Sequence, residues 1–314
     1  MQEILERQSK GEKSSILEMS KSFPVLELMI ASIDDSFIES LIEKDNLCFA
    51  IQKLVISTRN IEFIKKLVKK DYLDKELHLT IAKLGNIDVT TELLERDDLD
   101  FKVQQFVVGM GKDAYPLILK LLKRKDFPCE LQSEVFELGD EKLNSSLVTR
   151  EDLTDEVQVL FAKTYNSDFV DALLERKTIC KKAQRIIFKI GKHDFRKKLL
   201  EHDDLCRSMH EEFAKVAIGD AEFMNKLLDE EFLSPAAQQE IAKSKNVDYL
   251  FRLIERDDLD ETAEAFVAYS KIESAIEHLL NHRSYLRGRT IFSIVSSYKD
   301  KYAQVLKDKF GYVK

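Results

Sequence analysis

The chain has 314 residues, 44% of them hydrophobic and 34% charged, with nine glycines, four prolines and a formal net charge of −8. That balance suits soluble helical structure and excludes collagen-like or disordered sequence, while the negative charge disfavours wholesale attraction to nucleic acid or anionic membrane, a local patch apart. No apolar run reaches the roughly 18 residues of a membrane-crossing helix, and the opening MQEILERQSKGEKSS lacks the apolar core of a secretory signal, so a cytoplasmic chain without membrane association is expected.

In chain order, residues 1–12 read as a loose or short helical lead-in. Lys13–Asp34 read as a degenerate capping repeat, with Ser14–Ser20 as its first helix and Pro24–Ser32 as its second; proline is well tolerated in a first helical turn. From residue 35 to about 300 the chain repeats itself. LLERDDLD at Leu93 returns as LLERKTIC at Leu173, LLEHDDLC at Leu199 and LIERDDLD at Leu253. Taking the apolar residue that closes the motif as an anchor, anchors fall at Leu47, Leu73, Leu99, Phe127, Leu153, Ile179, Leu205, Leu233, Leu259 and Leu286, with steps of 26 to 28 residues. Such self-similarity marks a repeat architecture.

Each copy reads as two short helices. Before the anchor, apolar residues stand ten, six and five positions back, as Phe63, Leu67 and Val68 do, or Phe169, Leu173 and Leu174. After it, a stripe lies four, seven, eight and often eleven positions on: Leu77, Thr80, Ile81 and Leu84, or Ala183, Ile186, Ile187 and Ile190. Asp74, Asp100, Thr154, Ser234 and Asp260 follow their anchors directly and are good N-caps for the second helix. Gly85, Gly111, Gly139 and Gly191 stand twelve positions on, where a glycine ends that helix. Two steps are longer by two residues, before Phe127 and Leu233, and one by one residue, before Leu286; the extra residues are expected in turns. Lys301–Lys314 reads as a capping helix through Phe310 and a short tail.

A helix of about ten residues is not stable alone in water, and stacking copies so that each buries its stripe against the next removes that problem. The expected fold is therefore all-α: an α-solenoid of about ten to eleven two-helix repeats with a period near 26 residues. Its expected layout is a lead-in and capping repeat at 1–34, repeats over 35–300 and a closing helix and tail at 301–314, in one continuous domain.

With the short helix pair and the R-x-D-L turn of Arg96–Leu99 and Arg256–Leu259 in view, the chain resembles bacterial HEAT-like solenoids, especially the leucine-rich-repeat-variant class. The likeness is to an architecture and covers nearly the whole chain; the variant repeats are usually nearer 24 residues. It implies a protein-interaction or nucleic-acid-interaction scaffold and does not imply catalysis. Some members carry an N-terminal iron–sulfur cluster, but here no cysteine precedes Cys48, so that property is not carried over.

Three recurring features are candidates for function. The slot three before the anchor holds Lys44, Lys70, Arg96, Arg124, Arg150, Arg176, His202, Glu230, Arg256 and Arg283. A cation there complements the end of the first helix and pairs with neighbouring acids as a structural ladder; a phosphate-reading row is the alternative, opposed by those acids. The slot five after the anchor holds Gln52, His78, Gln104, Gln132, Gln158, Gln184, His210 and Gln238 before departing to Glu264 and Ile291. These amides can bond backbone in the adjacent repeat, or can line an inner groove and hold an extended peptide. Between Arg176 and Lys198 there are ten basic residues against one acid, Asp194. Lys181, Lys182 and Arg185 lie in this run, and Lys163, Lys189, Lys215 and Lys243 share the slot ten after the anchor. A charge run is usually a solvated face; its concentration here points to an acidic or phosphate-bearing partner.

Other chemistry finds little support. Cys48, Cys180 and Cys206 share the slot after the anchor and Cys129 is one further on. Equivalent slots stand farther apart than the ~7 Å limit for a disulfide, so reduced structural thiols are expected. His278 and His282, and His202, Cys206 and His210, step by four without doubled ligand pairs, so no metal site is expected. Gly109-Met110-Gly111-Lys112 is followed by Asp113 and has Phe106 where a P-loop glycine belongs. The sequence reading is thus a non-enzymatic scaffold without cofactor that binds a protein or peptide along a concave surface. Its candidate contacts are Gln104, Gln132, Gln158, Gln184, His210 and Gln238 with the lysines and Arg185 named above. Nucleic acid bound through residues 176–198 is the alternative partner, and the sequence sets no oligomeric state.

Overall fold

The computed structural model of the protein describes residues 35–44, 46–298 and 301–312. The expected lead-in and capping repeat at 1–34, and the tail residues Val313 and Lys314, lie outside the described residues. Among the described residues regular structure is helical throughout, with 21 α-helices, two 3-10 turns and no strand. The chain divides into two compact units, Met1–Val157 and Gln158–Lys314.

The first unit holds α1 (Asp35–Ile42), α2 (Phe49–Ser57), α3 (Ile61–Val68), α4 (Lys75–Ala82), α5 (Ile87–Leu93), α6 (Phe101–Gly109), α7 (Tyr115–Leu122), α8 (Gln132–Glu137) and α9 (Glu141–Val148). Odd-numbered helices are the first members of their pairs. They pack in one row, α1 on α3, α3 on α5, α5 on α7 and α7 on α9, while α2, α4, α6 and α8 pack in a second row. The division between units falls within α10 (Asp155–Lys163).

The second unit repeats this scheme with α11 (Ser167–Leu174), α12 (Lys181–Ile190), α13 (His193–Leu200), α14 (Arg207–Ala217), α15 (Ala221–Asp229), α16 (Pro235–Lys243), α17 (Val247–Ile254), α18 (Glu261–Tyr269), α19 (Glu273–His282) and α20 (Gly288–Tyr298). Its odd row runs unbroken from α11 to α19, and α14, α16, α18 and α20 pack in sequence. Phe188 of α12 meets Phe213 of α14 edge to face at 4.8 Å, which brings α12 into the same row. The closing α21 (Ala303–Phe310) lies against α19, where Tyr302 Oη reaches Glu277 at 3.4 Å and Lys309 donates to Leu280 O and Asn281 O at 2.5 and 3.0 Å. It stops at Gly311, whose φ of 67° is left-handed.

Local chemistry sets the ends of these helices. All five expected second-helix caps accept backbone N–H groups, Asp74 from Glu76, Asp100 from Lys102, Thr154 from Val157, Ser234 from Ala237 and Asp260 from Thr262 and Ala263. First helices carry caps of their own at Asn60, Asn86, Asp140, Asn166, Asp220 and Asn246. Between the helices, Gly85, Gly111, Gly139 and Gly191 adopt φ of 66–80°, as expected for a terminating glycine. The equivalent slot in other copies is left-handed without glycine: Arg59, Tyr165, Lys245 and Lys271 have φ of 56–62°.

Nine of the ten anchors are buried, and Leu205 is half-buried. First helices bury the expected positions and one more, as α3 does with Phe63, Ile64, Leu67 and Val68. The second-helix stripe is rotated from the expected one. In α4 the buried residues are Leu77, His78, Ile81 and Ala82, while Thr80 is exposed and Leu84 half-buried; in α12 they are Ala183, Gln184, Ile187 and Phe188, with Ile186 and Ile190 half-buried. The glutamine slot therefore belongs to the buried face. Of the longer steps, the one before Phe127 enters a 3-10 turn at Gly111–Ala114, as expected, but the one before Leu233 lengthens α14 to 11 residues and ends in Ile218–Asp220. Ala217 is fully buried there and the helix runs through the slot that turns left-handed in eight other copies.

Candidate functional site

The amide row is built where the second helix faces the turn of the following pair. Gln52 donates from Nε2 to Leu47 O and Tyr72 O at 2.8 and 3.1 Å and accepts Asp74 N–H on Oε1 at 2.9 Å. Gln184 does the same with Ile179 O, Asp204 O and Cys206 N–H at 2.9, 2.7 and 2.9 Å, and Gln238 with Leu233 O, Asp258 O and Asp260 N–H. Gln132 bonds Asp152 O and Thr154 N–H, and Gln158 accepts Cys180 N–H. His78 and His210 keep the accepting half of the pattern: each takes an N–H on Nδ1 at 3.4 Å, from Asp100 and Ser234. Burial lowers the pKa of both imidazoles, helped at His210 by Arg207 and Arg256.

This geometry corrects one sequence expectation. Gln104, Gln132, Gln158, Gln184, His210 and Gln238 are all at most 4% exposed, so none presents a side chain to a partner. In most copies the turn leaves backbone groups unpaired beside the preceding helix, and a primary amide offers a donor and an acceptor at once to close them. Gln104 is the exception, since Pro128 stands where the other copies supply an N–H, and its Oε1 is buried without a partner.

The cationic slot is also structural. Arg96 holds both Asp98 carboxylate oxygens, through Nε at 2.9 Å and Nη2 at 3.1 Å, and reaches back with Nη1 to Val68 O and Lys70 O, both at 2.7 Å. Arg150 pairs with Asp152 and reaches Arg124 O at 3.0 Å and Leu122 O. Arg256 pairs with Asp258 and reaches Leu228 O and Glu230 O at 2.8 and 2.9 Å. Arg124 pairs with Asp126, and its hydrogen bond holds that carboxyl below the usual range. Burial by itself would raise Asp98 and Asp258; the bonds and charge of Arg96 and Arg256 outweigh it, and both pKa values are lowered. His202 fills the slot with Nε2 at 2.6 Å from Arg176 O and Nδ1 accepting Asp204 N–H at 3.1 Å. Both its nitrogens, and Nδ1 of His210, are thereby spent on backbone rather than converging with Cys206 on a common centre.

With both recurring polar rows turned inward, the outward positions of the even helices lie two, three, six and ten residues after the anchor, save on α18, where Ala265 at the third of these is buried. The expected lysines are found there. Lys163, Lys181, Lys182, Arg185 and Lys189 are exposed. Lys215 and Lys243 are also exposed but are bound by Glu211 at 2.5 Å and Glu240 at 2.7 Å. The basic run of 176–198 is thus split. Lys197 and Lys198 on α13 pair with Glu222 and Asp171, both at 2.6 Å, and Arg196 folds over Phe188 at 4.7 Å, whereas the cations of α12 face outward. Their charge reaches the N-terminus of α14. There the Cys206 thiol lies 3.1 Å from Ser208 Oγ; burial would raise its pKa, but Ser208, Lys181 and Arg185 outweigh this and lower it.

None of the four cysteines forms a disulfide, and no group of three or more metal-ligating side chains occurs among the described residues. No helix among them is long and apolar enough to cross a membrane. Depressions between successive turns, such as that lined by Glu92, Glu95, Arg96, Asp97 and Asp98, include members of the arginine ladder. Comparison with protein-family models, with curated proteins and with solved structures returns no match.

Proposed function

We propose that the chain is a non-enzymatic binding scaffold, an α-solenoid of copies about 26 residues long, which docks a protein partner along the outward face of its even-numbered helices. The observation that supports this most is the division of labour within each copy. Anchors are buried and the arginine and glutamine slots are mostly spent on backbone between neighbours, while the outward slots vary. Six after the anchor stand Lys53, Leu79, Gln105, Ser133, Val159, Arg185, Glu211, Gln239, Ala265 and Phe292, of which Ala265 alone is buried. Constant inward chemistry with variable outward chemistry is what an extended recognition surface requires. The cytoplasmic setting belongs to this proposal.

The test is affinity capture from a lysate with the wild-type chain and with a variant carrying Gln105→Glu, Arg185→Glu and Gln239→Lys. A protein retained by the first and lost by the second is expected. Recovery of nucleic acid alone, or equal recovery by both chains, would overturn the proposal.

A further inference from the structure

The outward face is most polarised along α12 and the first turn of α14. Lys181, Lys182, Arg185 and Lys189 line α12, whose sequence KKAQRIIFKI contains no acid. Lys181 with Arg185, and Arg185 with Lys189, are like charges one turn apart, which weakens a helix. Lys181 and Lys182 also sit in the first turn, where the helix dipole is already positive. Several other helices place an acid in the first turn, as Glu76, Glu141, Glu222 and Glu261 do. Arg207 opens α14 without an acid beside it and lies over Phe232 at 4.2 Å. Nothing neutralises this charge: among the described residues Lys181, Lys182 and Lys189 have no carboxylate within 4.0 Å, and Arg185 reaches only Ser208 Oγ, at 3.3 Å. The arrangement opposes the stability of α12, so its use lies outside the fold.

The patch is also bounded. Farther along the row the equivalent cations are taken by Glu211 and Glu240, leaving a basic strip about 15 Å long, the length of a ten-residue helix. A nucleic-acid strand following the row would run from cations onto carboxylates: Glu211 and Glu240 stand beyond the patch, and the most exposed rings of the row, Tyr269 and Phe292, lie past them on α18 and α20, away from the cations. A short run of Asp and Glu side chains fits both the length and the charge.

We propose that α12 and the first turn of α14 dock an acidic segment of a protein partner, with Lys181, Lys182, Arg185, Lys189 and Arg207 receiving its carboxylates. This rests on the scaffold reading and gives it a partner chemistry. Fluorescence anisotropy of the full chain with fluorescein-labelled decaglutamate tests it, with a labelled twenty-nucleotide oligothymidylate as second probe. Decaglutamate is expected to bind, to weaken as salt rises, and to lose at least tenfold in affinity in the triple variant Lys181→Glu, Lys182→Glu, Arg185→Glu. The control Lys53→Glu, Lys75→Glu, on the even row of the first unit, is expected to leave binding unchanged. The triple variant is expected to melt no lower than wild type, because like-charge repulsion and conflict with the dipole are relieved; a structural role would lower its melting temperature. Should charge reversal unfold the chain, the triple glutamine variant at the same positions carries the test. No decaglutamate binding, binding untouched by the triple variant, or tighter oligonucleotide binding lost with the same three residues each overturns the proposal. A protein captured equally by the triple variant would remove this site while leaving the scaffold reading intact.

Discussion

Gln238 accepts the backbone N–H of Asp260 on Oε1 at 2.6 Å and donates from Nε2 to Leu233 O and Asp258 O at 2.8 and 3.0 Å, in a position 1% exposed. One side chain thereby closes three backbone groups in two successive turns. Gln238→Leu keeps the bulk but strands those groups away from water, so a loss of about 2–4 kcal/mol is expected in urea unfolding. Gln105→Ala, at an exposed outward slot, is expected to change stability by less than about 0.5 kcal/mol.

The arginine ladder depends on the planar fork and not on charge alone. Arg256→Lys keeps the cation but cannot hold Asp258 at two points while reaching Leu228 O and Glu230 O. A loss of about 1–3 kcal/mol is expected in the same measurement. A double-mutant cycle with Asp258→Asn is expected to give a coupling above about 0.5 kcal/mol; additivity would show that the two side chains act separately.

Lys245 and Lys271 occupy left-handed backbone at φ of 57° and 62°. An L side chain is disfavoured there by about 1–2 kcal/mol, partly offset by the greater unfolded-state freedom of glycine. Lys245→Gly and Lys271→Gly are each expected to raise the thermal midpoint, whereas Gly85→Ala, at φ of 73°, is expected to lower it. Differential scanning calorimetry reads both signs.

Stability should also respond to mild acid. His78 and His210 have lowered pKa values in the folded chain, and each uses Nδ1 as an acceptor. The unfolded chain takes up the proton near the ordinary histidine value of about 6.5 while the folded chain does not. Their stabilising contribution is therefore full above pH 6.5 or so and is lost as pH falls below it toward the folded values. His78→Gln and His210→Gln restore the amide of the other copies and are expected to flatten that slope between about pH 6.5 and 5.5. Urea midpoints across this window measure it; an unchanged slope would mean that other groups set the pH response.

Spacing made the helices, their caps and the terminating glycines legible, because anchor, N-cap and glycine slots each demand a particular residue type. The left-handed turns at Arg59, Tyr165, Lys245 and Lys271 were not legible, since neighbouring contacts hold those residues in a conformation that their own propensity opposes. The rotated stripe of the second helix escaped for a different reason. Apolar periodicity counts Gln184 and Gln238 as surface residues, whereas each is buried with its amide satisfied by backbone. A polar residue recurring beside an apolar stripe was the available signal, and only geometry chose between its two meanings. The basic run was visible as composition, but which cations were free depended on Asp171 and Glu222, separated from Lys198 and Lys197 by more than twenty residues of chain.

Where both are present, the two inward rows run in opposite directions across a junction. Gln52 reaches forward to the turn at Tyr72–Asp74, while Arg96 reaches back from its own turn to Val68 and Lys70. A truncation that removes the later pair opens the earlier amide to water, and one that removes the earlier pair opens a guanidinium in the later one, so both polar rows stay satisfied at a new end. What a shortened chain exposes instead is the apolar stripe beside them, such as Ile51, Val55 and Ile56 of α2, and polar substitutions belong there.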